Sequence, residues 1–286
     1  MSDQPDGALA ESLDSGPSPL PRERILSGVH FAPMSGAGPT GMRPEHLKEM
    51  VGIRMRRCAN RFLKSVGEFA VQAAGGSLGA HARWILDSRL VYIKKKKGVT
   101  PRPIRVGETW RRFIGKKLVH TFKDEIQNIC TESRQFGVGT PGGAEALIHL
   151  RTAIESILTS HAGAPLVMID IDFKNAFPSI EWKDIRKATE DLLPSLSSWT
   201  RWCHLTKSRI FLPCGEVYET DRGSEQGDPI GPFQCAAVII ELMKKVRLRL
   251  GSSVPFSTLG TWTMAKYSAA HVMQTHSSKP LTLRRS

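Results

Sequence analysis

A chain of 286 residues with 40% hydrophobic content is long enough to bury a sizeable core, as one large domain or two subdomains. Its 40 Lys and Arg against 27 Asp and Glu leave a net charge of +13, which points to a polyanionic partner. The five cysteines (Cys58, Cys130, Cys203, Cys214, Cys235) form no CxxC pair and no apolar run reaches the length of a membrane span, so a reducing, intracellular setting is expected and a structural zinc site or membrane anchor is not.

Residues 1–29 are rich in Asp, Ser, Pro and Gly and carry few large apolar side chains, the composition of a disordered leader with no signal peptide. A turn-rich loop, Ser35-Gly-Ala-Gly-Pro-Thr-Gly-Met-Arg-Pro44, leads into a helix opening at Pro44. Over 51–74, Val51, Met55, Phe62, Val66 and Phe69 recur at helical spacing beside Arg54, Arg56, Arg57, Arg61 and Lys64, a solvated basic face on a packed helix that Gly75-Gly76 ends. Leu90–Ile93 reads as a short strand feeding Lys94-Lys-Lys-Lys-Gly-Val-Thr-Pro-Arg-Pro-Ile104. Helical patterns follow at about 108–128 and 143–160, separated by Phe136-Gly-Val-Gly-Thr-Pro-Gly-Gly143.

Val167, Ile169 and Ile171 then alternate with Met168, Asp170 and Asp172, a strand with both aspartates on one face. Pro178 stops the extended run, and Ser179 is placed to cap a helix starting near Glu181. Carboxylates at the end of a strand suit a divalent metal, and they equally suit a solvated edge. Helices near 181–193 and 196–207, a hairpin over Arg209–Thr220 turning at Pro213–Glu216, and a helix from Pro229 to about Leu250 complete the pattern.

Charge is concentrated rather than spread. From Lys94 to Lys117 there are ten Lys or Arg residues and one acid, Glu108, a density that suits a phosphate-binding surface. A solvated run or a localisation patch explains Lys94, Lys95, Lys96 and Lys97 alone, but not Arg102, whose backbone is pinned between Pro101 and Pro103. Arg111, Arg112, Lys116 and Lys117 share a helix with Trp110, Phe113, Ile114 and Leu118; this is an ordinary amphipathic helix whose basic face can also meet a nucleic-acid backbone. The nine histidines show no HExxH, and no Gly-x-Ser-x-Gly elbow occurs.

Two stretches together resemble motifs A and B of reverse transcriptases. Asp172-Phe-Lys-Asn-Ala-Phe177 has an aspartate with an aromatic five residues later, and Gln226-Gly-Asp-Pro-Ile-Gly-Pro232 is similar to the motif B signature of non-LTR retrotransposon enzymes. The resemblance runs from about Ser35 to about Met264. It implies a mixed α/β right-hand polymerase fold, fingers and partial palm, with antiparallel sheet packed on helices. The implied organisation is a leader over 1–29, an N-terminal helical extension over 30–80, fingers over 81–165, palm over 166–264 and a tail over 265–286.

By the same resemblance, Asp172 is the catalytic carboxylate and holds Mg²⁺ or Mn²⁺. Lys95, with Lys94 and Lys96 as alternatives, and Arg102 grip the triphosphate, for which the arginine fork is suited. Phe177 lies against the sugar and excludes a 2′-hydroxyl; Gln226 and Gly227 meet the nucleotide and template. Lys94, Lys96, Lys97, Arg111, Arg112, Lys116 and Lys117 face nucleic acid. Asp228 reads as a structural residue at a helix N-terminus rather than a metal ligand. Partners are an RNA template, an RNA–DNA duplex and a deoxynucleotide, with no membrane, in a nuclear setting if the source is a eukaryotic retrotransposon.

The pattern fails at motif C. The family holds its second metal with an Asp-Asp pair on a hairpin roughly 30–40 residues after motif B. No Asp-Asp occurs here and the last aspartate is Asp228; Val254–Met264 resembles the motif C strand–turn–strand with Thr258-Leu-Gly-Thr261 in its place. The expected protein is therefore a truncated or decayed reverse transcriptase with little or no activity of its own, its second metal site lost and its thumb missing. The rival is a non-catalytic RNA-binding protein on the same fold; an RNA-dependent RNA polymerase is counted against by Phe177 and the Gln-Gly-Asp-Pro run.

Overall fold

The computed structural model describes residues 31–51, 56–94, 101–160, 166–171, 173, 176–225, 227–250, 256–263 and 266–274. The leader, Lys95, Lys96, Lys97, Asp172 and Gln226 lie outside these residues, as does the side chain of Arg102. The chain is a mixed α/β protein whose contacts divide it into two units, each made of two stretches. One ends at Lys123 and resumes over Phe177–Cys235; the other comprises Asp124–Ala176 and Ala236 onward. Among the described residues no helix is long and apolar enough to cross a membrane.

In the first unit, α1 (Pro44–Val51) and α2 (Arg56–Ala74) lead to a 3-10 turn (Ala80–Leu86), β1 (Ser88–Ile93), β2 (Arg102–Gly107) and α3 (Thr109–Thr121). Ala59, Val66, Ala70 and Ala73 form the buried stripe of α2, while Arg61 and Lys64 stay in solvent. The helix stops where Gly76 turns left-handed (φ 70°): Ser77 N–H donates to Gln72 O and Gly76 N–H to Ala73 O, both at 2.9 Å.

After the break in sequence come a helical turn, α6 (Ala176–Ser179, from its second residue), then α7 (Trp182–Leu192), α8 (Ser197–Cys203), β4 (Ser208–Phe211) and β5 (Val217–Thr220). Phe113, Ile114 and Leu118 of α3, Ile185 of α7, Trp199 of α8, and Leu196, Ile230 and Phe233 are almost fully buried. Each such side chain contributes about 1.5–3 kcal/mol of transfer free energy.

The sheet of this unit has the order β2-β1-β4-β5. β1 and β2 are antiparallel, with Ile93 opposite Arg102 and Ser88 opposite Gly107, and β4 and β5 form the expected hairpin. The sheet is antiparallel at β1–β2 and β4–β5, as expected, while β1 and β4 are parallel. The long connection between them, which contains several helices, permits that step, which a tight hairpin would forbid.

The second unit holds α4 (Lys123–Glu132, from its second residue), α5 (Gly143–Ser160), β3 (Leu166–Ile171), β6 (Phe256–Thr263) and β7 (Lys266–Gln274). α9 (Gly231–Leu250) starts in the first unit and continues into the second. The sheet is antiparallel, in the order β3-β7-β6, with Ile171 opposite Ala269 and Ala269 opposite Gly260.

This sheet alters the reading of the C-terminal third. Thr258-Leu-Gly-Thr261 was expected at a turn, but β6 runs straight through it and the chain reverses only after Thr263, which faces Lys266. Phe, Thr and Trp favour extended backbone, and pairing along all of β6 holds them there. The stretch after Met264, without legible periodicity, supplies β7, and β7 rather than β6 pairs with the strand leading to Asp172.

Candidate nucleotide and nucleic-acid site

The segment Arg222–Gly231 joins β5 to α9 and is bonded on two sides within the first unit. On one side it meets the turn that carries Phe177. Ser224 N–H donates to Phe177 O at 2.8 Å, Gly223 N–H to Ile180 O at 2.7 Å, and Glu181 forms a β-bridge with Arg222. The buried Trp182 indole N–H donates to Gly223 O at 3.0 Å. Gly223 is required here: its φ is 87°, and a Cβ would stand 2.9 Å from Pro178 Cα. Ser179 does not cap α7 as expected. It belongs to α6, and Glu181, held by the bridge to Arg222, occupies the cap position without a side-chain cap bond.

On the other side the segment meets β2 and α3 through buried charges. Glu225 Oε1 accepts from Arg105 at 2.9 Å and from Arg111 at 3.2 Å. Asp228 Oδ2 accepts from Arg111 Nε at 2.8 Å, while Oδ1 accepts the Ile230 N–H at 3.0 Å. Arg105 also donates to the Ser88 and Ser208 hydroxyls, each at 3.2 Å. Two cations and two anions cancel, at 5% exposure for Arg111 and 2% for Glu225. Burial alone would lower the Arg111 guanidinium, but Glu225 and Asp228 overcome it and hold Arg111 above its ordinary value. Burial wins at Arg105, whose value is lowered despite Glu225. Gly227 lies against the strand itself, and a Cβ on it would come 2.9 Å from Arg105 O.

A third contact comes from the loop before α1. Glu108, the lone acid of the basic block, accepts the Thr40 N–H at 2.7 Å and the Thr40 hydroxyl at 2.9 Å. Arg89 donates to Ala37 O, Arg112 to Gly36 O and the Thr109 hydroxyl to Met42 O, each at 2.6 Å. The glycine-rich loop is thereby strapped to β1 and to the start of α3.

The structure divides the basic residues expected on a single nucleic-acid face. Lys94 directly follows β1, is exposed, and stands beside the Ile93–Arg102 pair that joins the strands. Lys116 is exposed, with its ammonium 4.6 Å from the Phe31 ring. Arg111, Arg112 and Lys117 are corrections. Arg111 is enclosed by Glu225 and Asp228, Arg112 reaches Gly36 O and Thr109 Oγ1, and Lys117 Nζ lies 5.9 Å from the Phe113 ring. Burial lowers both Arg112 and Lys117. These three side chains are thus buried, with partners inside the protein rather than on an open basic face.

Phe177 is half-buried on α6, and Gly227 is exposed beside β2. Sequence reasoning missed Glu225, Arg105 and Gly223; the one signal available was an acid inside the motif B run and another, Glu108, inside the basic block. Asp228 is engaged by Arg111 and Ile230, in keeping with a structural role. Among the described residues no cluster of His, Cys, Asp or Glu could hold a metal ion. β6 carries Thr258-Leu-Gly-Thr261 in the place of the Asp-Asp pair that the resemblance implies, and brings no carboxylate.

No family model matches the chain, and no curated protein does. Among solved structures it is similar to apo telomerase from Candida tropicalis truncated from its C-terminal domain, at 11% identity over 67% of this chain and 44% of that one, with a TM-score of 0.44. It is also similar to telomerase from Candida albicans in complex with a TWJ fragment of telomeric RNA, at 11% identity over 68% of this chain and 39% of that one, with a TM-score of 0.43. The chain spans less than half the length of either telomerase chain.

Proposed function

We propose that this chain is a reverse-transcriptase-like protein of the non-LTR retrotransposon type that binds RNA and deoxynucleotides and does not polymerise DNA by itself. The observation that carries the reading is the convergence on Arg222–Gly231. The motif B segment is bonded to the Phe177 turn on one side and to the strand bearing Arg102 on the other. Three stretches singled out in sequence for one nucleotide site are thus tied together within one unit. Lys95, or Lys94 or Lys96 in its place, suits a triphosphate together with Arg102, which opens β2 opposite Ile93; Phe177 suits a sugar without a 2′-hydroxyl.

The absence of catalysis follows from the donors. Two divalent ions close together need several carboxylates to offset their repulsion. Asp172, with Asp170 two residues before it, can serve one ion; Gly260 has no side chain, and the Thr261 hydroxyl is a neutral, weak ligand.

The test has two arms. Extension of a DNA primer on an RNA template, with deoxynucleotides and Mg²⁺ or Mn²⁺, should give no incorporation above an Asp172→Ala control. Deoxynucleotides should bind in preference to ribonucleotides, and Phe177→Ala should erase the difference. Robust wild-type extension would overturn the inactive reading, and equal affinity for both nucleotides would overturn the sugar gate.

A further inference from the structure

The geometry points to Glu225 as a positioning residue: with Arg105, Arg111 and Asp228 it forms a buried clamp that fixes Glu225 and the stretch Gly227–Gly231 against β2 and α3, and so sets the affinity of the nucleotide site. This rests on the nucleotide-site reading above and adds to it the residue that controls it.

The clamp has a direction that an apolar contact would lack. Glu225 Oε1 receives β2 through Arg105 and α3 through Arg111, and Arg111 passes on to Asp228 at the foot of α9. Asp228 in turn orders the start of the helix, accepting Ile230 N–H on its carboxylate and Gly231 N–H on its carbonyl. Ser224, just before Glu225, donates from its hydroxyl to Gly231 O at 3.2 Å. Glu225 and Asp228 are therefore both held, and Gly227 lies close enough to β2 that a Cβ on it would come 2.9 Å from the Arg105 carbonyl oxygen.

Buried ion pairs are weak sources of net stability, because desolvation offsets their attraction; apolar side chains of similar volume fill such a space as well. What oriented hydrogen bonds add is a fixed place for the backbone. A nucleotide gripped from β2 and from this segment is sensitive to a shift of about an ångström between them.

Glu225→Gln is the informative change, since it keeps the shape and one acceptor oxygen while removing the charge and replacing the other oxygen by an amide NH2. Asp87→Asn is the control: it weakens the Asp87–Arg209 pair of the same sheet, which does not touch the segment. Amide hydrogen exchange and binding of a fluorescent deoxynucleoside triphosphate are measured on the full chain in both variants. In Glu225→Gln, exchange at Asp228, Ile230 and Gly231 should rise at least about tenfold more than at α2 and α3 amides, with a fall in nucleotide affinity of similar size. Asp87→Asn should do neither.

Uniform or unchanged exchange in Glu225→Gln overturns the clamp. Loosened exchange with unchanged nucleotide affinity overturns its role at the site. If the wild type binds no nucleotide, the site reading above has failed, and the exchange comparison still decides whether the clamp holds the segment.

Discussion

Two groups of cations, close in sequence, do opposite things. Lys94 stands in solvent at the end of β1, beside the pair that joins the β1–β2 hairpin, whereas Arg105, Arg111 and Arg112 turn inward and donate their hydrogen bonds to the protein. Composition treats them as one basic block. The difference lies in their partners: Arg111 finds Glu225 and Asp228, 114 and 117 residues away, and Arg112 finds a carbonyl 76 residues away. Charge density in sequence thus measures how many cations are present. Which of them reach solvent is decided by acids and carbonyls that the fold delivers.

The sharpest way to break this comparison is to remove an inward cation. Arg111→Met leaves Glu225 and Asp228 buried without their shared guanidinium, and should lower unfolding free energy by about 3–5 kcal/mol in a urea titration. A decrease under about 1 kcal/mol would mean that Arg111 reaches water and belongs with Lys94.

The next effect falls on the other side of the same segment. Gly223→Ala adds a Cβ 2.9 Å from Pro178 Cα at a φ of 87°, and should cost about 1–3 kcal/mol while weakening deoxynucleotide binding. Wild-type stability in that variant would show that the Phe177 turn and the motif B segment separate freely.

Much of this architecture is legible from local pattern. The helix over 143–160, the hairpin expected over 209–220 and found over 208–220, the Gly75-Gly76 stop and the run of α9 to Leu250 follow from periodicity and from glycine and proline punctuation, which act over a few residues. The candidate site is legible only as a set of stretches. That Glu108 would hold Thr40, 68 residues earlier, or that Glu225 would hold two arginines, is tertiary information with no local trace. The turn expected inside Thr258–Thr261 was set by resemblance to a motif, and β-propensity and pairing with β7 prevail there.

A smaller effect comes from His204, buried and stacked on Trp182 at 4.8 Å. Burial, with Arg111 and Arg186 nearby, holds it well below the ordinary value of 6.5. The unfolded chain takes up a proton as pH falls through about 6.5, and the folded chain does not until much lower pH. Its contribution is therefore fully present above that point and declines as pH falls, at up to about 1.4 kcal/mol per unit. His204→Phe keeps a ring against Trp182 and should flatten the stability profile below about pH 6.5; an unchanged profile would assign acid sensitivity to other groups.

The smallest effect on stability is expected at Lys94 and the three lysines that follow it in sequence, and there the readout changes from folding to binding. Replacing Lys94–Lys97 with Ala should move unfolding free energy by no more than about 0.5 kcal/mol, since Lys94 is exposed and lies outside the buried network of Glu225, Asp228 and Glu108. Affinity for single-stranded RNA should fall for all sequences alike, because bonds to phosphate carry no base information. For a single strand, each phosphate neutralised adds about 0.7 to the slope of log affinity against log salt, so removing four lysines flattens that slope by about 3 at most. The same measurement on Arg112→Met sharpens the comparison: that variant should be less stable and keep the wild-type salt slope in its folded fraction. If instead the quadruple variant keeps the slope and Arg112→Met flattens it, the outward and inward assignments are reversed, and the nucleic-acid surface lies on α3 after all.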